Sequence, residues 1–240
     1  MARIANGMGR RIGAGGKGVR LVPLSAVQGW LGSVSARRLA RAFMFMGLAA
    51  LIGAFTVKAA AEVRVGMMLA GVAAVEFGGL LAIRTRGPIE GFRRKTPRYA
   101  FVGAAVIAFA YIAATLGGNS MVSGAVSHLT PLKLVAVVAA VIAGFFEESL
   151  FRGVLMDRLA AAGRSPALQV LISGLVFGGL HFYAFAGLPA ALLAQAATTV
   201  LGWALATLYL MSRRSLWPCI IAHILIDAAL EPALLQSLTH

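Results

Sequence analysis

The sequence predicts an all-α fold, a polytopic transmembrane helix bundle of about seven spans with its N-terminus in the cytoplasm. Three observations carry that expectation: long unbroken apolar runs, positive charge confined to the connections between them, and a few ionisable residues stranded inside them. The 240 residues are 60% hydrophobic and 12% charged, with a mean hydropathy of +0.85. An ordinary soluble domain is about 25% charged and roughly 45–50% apolar. The departure excludes a disordered tail, a collagen-like repeat and a soluble enzyme with a water-facing shell. A membrane β-barrel would place polar residues at every second position of its strands, and these runs do not alternate. The single cysteine, Cys219, lies in an apolar stretch, which excludes a disulfide framework and a cysteine-based zinc site. The net charge of +14, from 22 Lys and Arg against 8 Asp and Glu, would suggest nucleic acid in a soluble chain. Here membrane topology and anionic lipid at basic cytoplasmic loops account for it, and no nucleic-acid partner is expected.

Residues 1–38 are Gly-rich and basic, with no acidic residue before Glu62. They contain no apolar run of signal-peptide length, and Arg10-Arg11 precede no apolar stretch of the kind a twin-arginine signal needs. A flexible cytoplasmic arm with a short amphipathic piece near Val19–Leu31 is expected; an organellar transit peptide is the alternative. Residues 39–240 form the transmembrane domain. A span needs about 20 apolar residues at roughly 1.5 Å each. The runs that satisfy this are Leu39–Val57, Val65–Ile83, Tyr99–Leu116, Leu132–Leu155, Ala167–Phe185, Leu188–Met211 and Leu216–Leu235. The fourth and fifth open on Thr130-Pro131 and Ser165-Pro166, each a capping hydroxyl before a proline suited to the first turn.

The connections set the orientation. The arm carries Arg3, Arg10, Arg11, Lys17, Arg20, Arg37, Arg38 and Arg41. The second connection carries Arg84, Arg86, Arg93, Arg94, Lys95 and Arg98, the fourth Arg158 and Arg164, and the sixth Arg213 and Arg214. The odd connections hold only Lys58 and Arg64. This alternation obeys the positive-inside rule with the N-terminus in the cytoplasm and the C-terminus outside.

An ionisable side chain inside a span costs at least a few kcal/mol, so each is a functional candidate. They are Glu76, Glu147, Glu148, Arg152, His181, His223 and Asp227, and six of the seven fall in the segments FFEESLFRG, FGGLH and HILID. Glu148 and Arg152 are four apart and share a helical face, as do His223 and Asp227. Glu147 is turned about 100° away from Glu148, so it cannot share that arginine equally. Measured from the cytoplasmic ends of their helices, Glu147 lies ~16 Å deep, His181 ~21 Å, His223 ~10 Å and Asp227 ~16 Å. Three helices thus bring their polar groups to a similar level, as one site open to the cytoplasm. Singly, Glu148–Arg152 reads as a structural ion pair, His181 as an interhelical hydrogen-bond residue, and His223–Asp227 as a helix-locking pair. Glu76 stands alone and reads as a helix-packing or lipid-interface residue. His128 and His240 read as solvated.

The EESLFR stretch resembles the EExxxR motif of the CPBP family of intramembrane proteases, the CaaX-protease and bacteriocin-processing group also called Abi. FGGLH resembles its FxxxH motif and HILID its final HxxxN/D motif. The three occur in family order across about 132–235, whereas the arm and the first three spans match nothing specific. The resemblance implies a glutamate-type endopeptidase, acting near the cytoplasmic membrane face on a membrane-associated peptide or protein. Glu147 would be the base that activates water and His181 would hold that water. Glu148 and Arg152 would be the supporting ion pair, and His223 with Asp227 would stabilise the oxyanion. Desolvation and a neighbouring carboxylate are the features that tune such a base, and oxyanion donors act most strongly in a low-dielectric pocket. Asp227 departs from the common Asn, because an ionised Asp cannot donate to an oxyanion. It is either protonated or orients His223 by accepting from its ring. No cofactor is expected; zinc on the histidines and carboxylates is the competing mechanism. A proton-coupled transporter and a catalytically silent, immunity-type binding protein are the other classes that bury such residues. The Ala-, Gly- and Arg-rich style suggests a bacterial cytoplasmic membrane.

Overall fold

The computed structural model describes residues 24–118, 131–181 and 188–237. The first part of the expected arm, His128 and His240 lie outside the described residues. Within them the chain is helical throughout, with no strand. Helix α1 spans Leu24–Thr56, α2 Ala61–Arg84 and α3 Arg98–Gly118. Helix α4 runs over Pro131–Glu148, then through a π-helical stretch, Ser149–Met156, into a last α-helical turn, Asp157–Ala161. Helices α5, α6 and α7 span Pro166–Leu180, Leu188–Met211 and Trp217–Ser237.

The seven helices coincide with the seven apolar runs, with three differences. Helix α1 begins at Leu24, inside the stretch expected to be a flexible arm. Leu24, Val27, Leu31 and Val34 recur at helical spacing there, and that pattern outweighs the glycines. Helix α5 ends at Leu180 and is about 22 Å long; residues 182–185, the last part of the expected fifth run, lie outside the described residues. The fourth run is not a uniform α-helix, because the turn around Arg152 is widened to i→i+5 hydrogen bonding. Glu148 and Asp157, at its two borders, keep α-helical dihedrals, so the chain passes from α-helix into the π stretch and back into α-helix. Among the described residues, four helices are long and apolar enough to cross a membrane: Val63–Arg84, Arg98–Gly117, Lys133–Ala161 and Ala191–Met211. This is an integral membrane protein.

Bilayer-facing surface gives no hydrophobic reason for helices to associate, so close approach by small residues has to do it. Phe45, Phe109, Leu134 and Leu193 point outward, while Ala100, Ala104, Ala136 and Ala140 are buried between helices. Helix α1 pairs with α2, where a side chain on Gly47 would collide with the Gly71 carbonyl and Val75. Helix α2 packs on α4 through Val65, Leu69 and Ala73 against Ala136 and Ala139. Helix α4 packs on α7, with Ile224 seated over Gly144. Helix α5 packs on α6, where a Cβ on Gly174 would strike Trp203 and one on Gly178 would strike Thr199. Helix α5 also contacts the π-helical stretch of α4, and with the α4–α7 packing this brings the central part of α4, the end of α5 and the middle of α7 together.

The basic end of the bundle is tied by a polar cluster. Ser165 caps α5 by accepting from the Leu168 amide, with Pro166 in the first turn, as the sequence predicts. After α6 the chain turns through Arg213 and Arg214, both in the left-handed region at φ 57° and 60°. That conformation is unfavourable for a long side chain. Arg214 is held in it by donating to Asp157 at 2.9 Å and to Gln169 at 2.6 Å, while the Tyr209 hydroxyl donates to the same Asp157 oxygen. The ends of α4 and α6 and the start of α5 are thereby joined next to the basic connections.

Candidate active site

The six polar residues of the three segments converge. At the base of the site Arg152 Nη1 donates to Glu148 Oε1 at 2.8 Å, and both side chains are 0% exposed. The spacing of four makes this pair, and the π-helical turn that carries Arg152 preserves it. Arg152 Nη2 donates to the Gly202 carbonyl on α6 at 3.0 Å, so the guanidinium also links α4 to α6. Its Cζ lies over the Phe177 ring, 4.9 Å from the centroid. Phe177 is the apolar hub: its ring also contacts Phe151, His181 and His223.

Glu148 has a second partner that its helix does not supply. His223 Nδ1 lies 2.8 Å from the same Oε1 atom. Glu148 accepts from Arg152 and is therefore the carboxylate acceptor here, which makes Nδ1 the donor. The other ring nitrogen, Nε2, faces Asp227 Oδ2 at 3.2 Å, across the i, i+4 pair on α7. Donation from Nδ1 leaves two proton arrangements for that contact: an imidazolium donating to an ionised Asp227, or a protonated Asp227 donating to a neutral ring.

Glu147 sits above this pair. Its Oε2 lies 3.8 Å from His223 Nε2 and 3.9 Å from His181 Nε2, with no hydrogen bond to that oxygen among the described residues. His181 is fixed by its other nitrogen, where Nδ1–H donates to the Phe177 carbonyl at 2.8 Å. In the neutral ring Nε2 then carries the lone pair, on the side of Glu147.

Exposure is graded through the cluster. Glu148 and Arg152 are sealed and His223 is 3% exposed, whereas Glu147 is 15%, His181 18% and Asp227 25% exposed. A molecule entering the site therefore meets Glu147, His181 and Asp227, with the Glu148–Arg152–His223 chain behind them. Two contributors were not singled out in the sequence. The Gly202 carbonyl carries no side-chain signal. Tyr111 on α3 lies within electrostatic reach of Asp227, and nothing in the sequence links the two. Glu76 is 7% exposed and lies on the face of α2 between Ala73 and Gly79, the latter against Phe146 of α4. Among the described residues, no three His, Cys, Asp or Glu side chains are arranged to hold a metal ion.

Fold and site together define a polytopic helical membrane protein with an acid–histidine cluster buried among its helices. Residues 129–229 match the model of the family described as type II CAAX prenyl endopeptidase Rce1-like, which is the CPBP family. The matched segment begins just before α4, ends in α7 and contains all six residues of the cluster. The match points to a peptidase whose substrate is a membrane-associated protein. No curated protein and no solved structure matches the chain.

Proposed function

We propose that the chain is an intramembrane endopeptidase that hydrolyses a peptide bond with water activated by Glu147. The observation that supports this best is the division of the two adjacent glutamates. Glu148 is consumed by Arg152 and His223 in a sealed layer, and Glu147, turned away from both, is aimed at two imidazole edges from the accessible side. Glu147 takes the proton of the attacking water, and the His181 lone pair orients that water. The oxyanion donor is then either Nε2–H of an imidazolium His223 or a protonated Asp227, because a neutral ring that donates Nδ1–H to Glu148 has no proton on Nε2. Tethering the reacting groups to three packed helices removes the reorganisation that such groups need in water. Purified protein in nanodiscs should cleave a membrane-anchored peptide library at defined bonds; intact peptides throughout would overturn the proposal.

The donor set does not suit zinc. His223 has a carboxylate on each ring nitrogen and His181 Nδ1 is bound to a backbone carbonyl, so a metal would have to displace Asp227 from His223. We therefore propose metal-free catalysis. Asp227→Asn preserves shape and can either donate to the oxyanion or accept from His223 through its carbonyl oxygen. Its activity should stay within about tenfold of wild type, the order expected for trading one charged hydrogen bond for a neutral one. Chelators should have no effect. A dead Asp227→Asn protein, with wild-type activity lost to chelators and restored by zinc, would establish the metalloprotease mechanism instead.

In our reading the basic connections face the cytoplasm, in a bacterial cytoplasmic membrane, and the site opens to that side. In a Cys219→Ser background, a cysteine at Lys58 should react with an impermeant thiol reagent added to intact cells, and one at Arg94 should not. The reverse pattern would invert the orientation.

A further inference from the structure

The end of α2 and the loop that follows it border an open cavity of about 260 Å³ lined by Arg84, Gly87, Pro88, Ile89, Phe92 and Arg93. It lies outside the acid–histidine cluster. Its lining combines two arginines with proline, isoleucine and phenylalanine. No carboxylate lines it, and neither arginine side chain has an ion pair or hydrogen bond among the described residues. The loop around it adds Arg86, Arg94, Lys95 and Arg98 against Glu90 alone. Two arginines without ion pairs lining one cavity suit a ligand with several anionic oxygens, because each guanidinium can bind two of them in its planar fork. The apolar wall suits a ligand that is not wholly hydrophilic.

The position of the cavity specifies the source of such a ligand. One membrane-spanning segment ends at Arg84 and the next begins at Arg98, so both strands of the loop emerge from the bilayer at the cavity. Headgroup phosphates lie at that level on the surface that basic residues face. We propose that this cavity is a binding site for a phosphate-bearing amphiphile, the headgroup of an anionic membrane phospholipid held between Arg84 and Arg93.

The same loop touches the helix that carries the site. Ile89 fills the space over Gly153, next to Arg152, and the Phe92 ring stacks on Phe145 at 6.3 Å and meets Trp217 at 5.7 Å. The Leu216 amide donates to the Gly91 carbonyl at 3.1 Å, and Thr96 and Ser215 share a hydrogen bond. A lipid in the cavity therefore braces a loop already seated against α4 and α7, and binding stabilises the fold as any ligand of the native state does.

The test uses the full chain in nanodiscs of phosphatidylcholine, with and without phosphatidylglycerol, read by thermal unfolding and by lipid retained in native mass spectrometry. Neither readout depends on cleavage, so its failure and that of the protease assignment are separable. Phosphatidylglycerol should raise the melting temperature by roughly 2–4 °C and be retained on the protein. Arg84→Gln/Arg93→Gln should lose both effects, as should Arg93→Gln alone in part. Arg86→Gln/Arg94→Gln removes the same charge from outside the cavity and should keep them. Equal loss in the two double variants would show attraction to the basic loop as a whole and overturn the site. The absence of any difference between the two kinds of disc would overturn it as well. If glycerol phosphate added to phosphatidylcholine discs gives the full shift through Arg84 and Arg93, the phosphate comes from solution and the lipid assignment falls.

Discussion

Glu147→Gln should reduce cleavage by about 10²–10⁴-fold, the contribution of a positioned general base, while the protein stays folded. Gln is nearly isosteric, and Glu147 Oε2 makes no hydrogen bond among the described residues for the substitution to break. What it removes is the ability to accept a proton from water between His181 and His223. Cleavage of a membrane-anchored reporter and thermal unfolding, measured on the same preparation, separate the two effects. A Glu147→Gln protein that cleaves at the wild-type rate would exclude Glu147 as the base.

Glu148→Gln should instead fail by unfolding as well as by inactivity. One carboxylate oxygen of Glu148 accepts from Arg152 Nη1 and from His223 Nδ1, and the pair it forms with Arg152 has no exposed surface. A neutral amide leaves the guanidinium without its counter-charge where water does not reach it. Breaking a buried pair in this way costs about 3–5 kcal/mol. The melting temperature and yield should fall, and His223 should lose the anchor that aims Nε2 at Glu147. A second substitution distinguishes the two consequences. Glu148→Gln/Arg152→Met removes the stranded charge and should recover part of the lost stability, because no unpaired charge then stays buried. It should not recover activity. If Glu147→Gln and Glu148→Gln are equally inactive and equally stable, the division of labour between the two glutamates is wrong.

The pairing of the two glutamates was partly legible in the sequence. Arg152 follows Glu148 by one helical turn, so helical periodicity alone pairs them and turns Glu147 away. The same rule pairs His223 with Asp227, and the structure keeps that contact at 3.2 Å. Depth along each helix follows from residue count, which is why His181 could be placed level with Glu147 without a structure. Periodicity failed where the backbone departed from it. The π-helical turn at Ser149–Met156 has no sequence signature separate from an ordinary amphipathic turn, although Ile89 occupies the space beside Gly153 within it. The early start of α1 was hidden by glycines whose helical cost is small beside a sustained apolar pattern.

By itself, then, the sequence determined the class of fold, the helical segments, the i, i+4 pairs and the set of residues that had to be explained. Each of these depends on composition or on spacing within one helix, which local geometry converts directly into position. Only the tertiary structure decided what crosses between helices. It put His223 Nδ1 on Glu148, 75 residues away in the chain, and Arg152 on the Gly202 carbonyl, 50 residues away. It also decided that Glu148 is sealed while Glu147 is reachable, and that an arginine-lined cavity lies beside the site helix. Those outcomes depend on how close two helices approach and at what rotation, which small residues such as Gly144, Gly174 and Gly178 set by what they lack. A missing side chain has no periodicity to read, and its effect exists only once the neighbouring helix is in place.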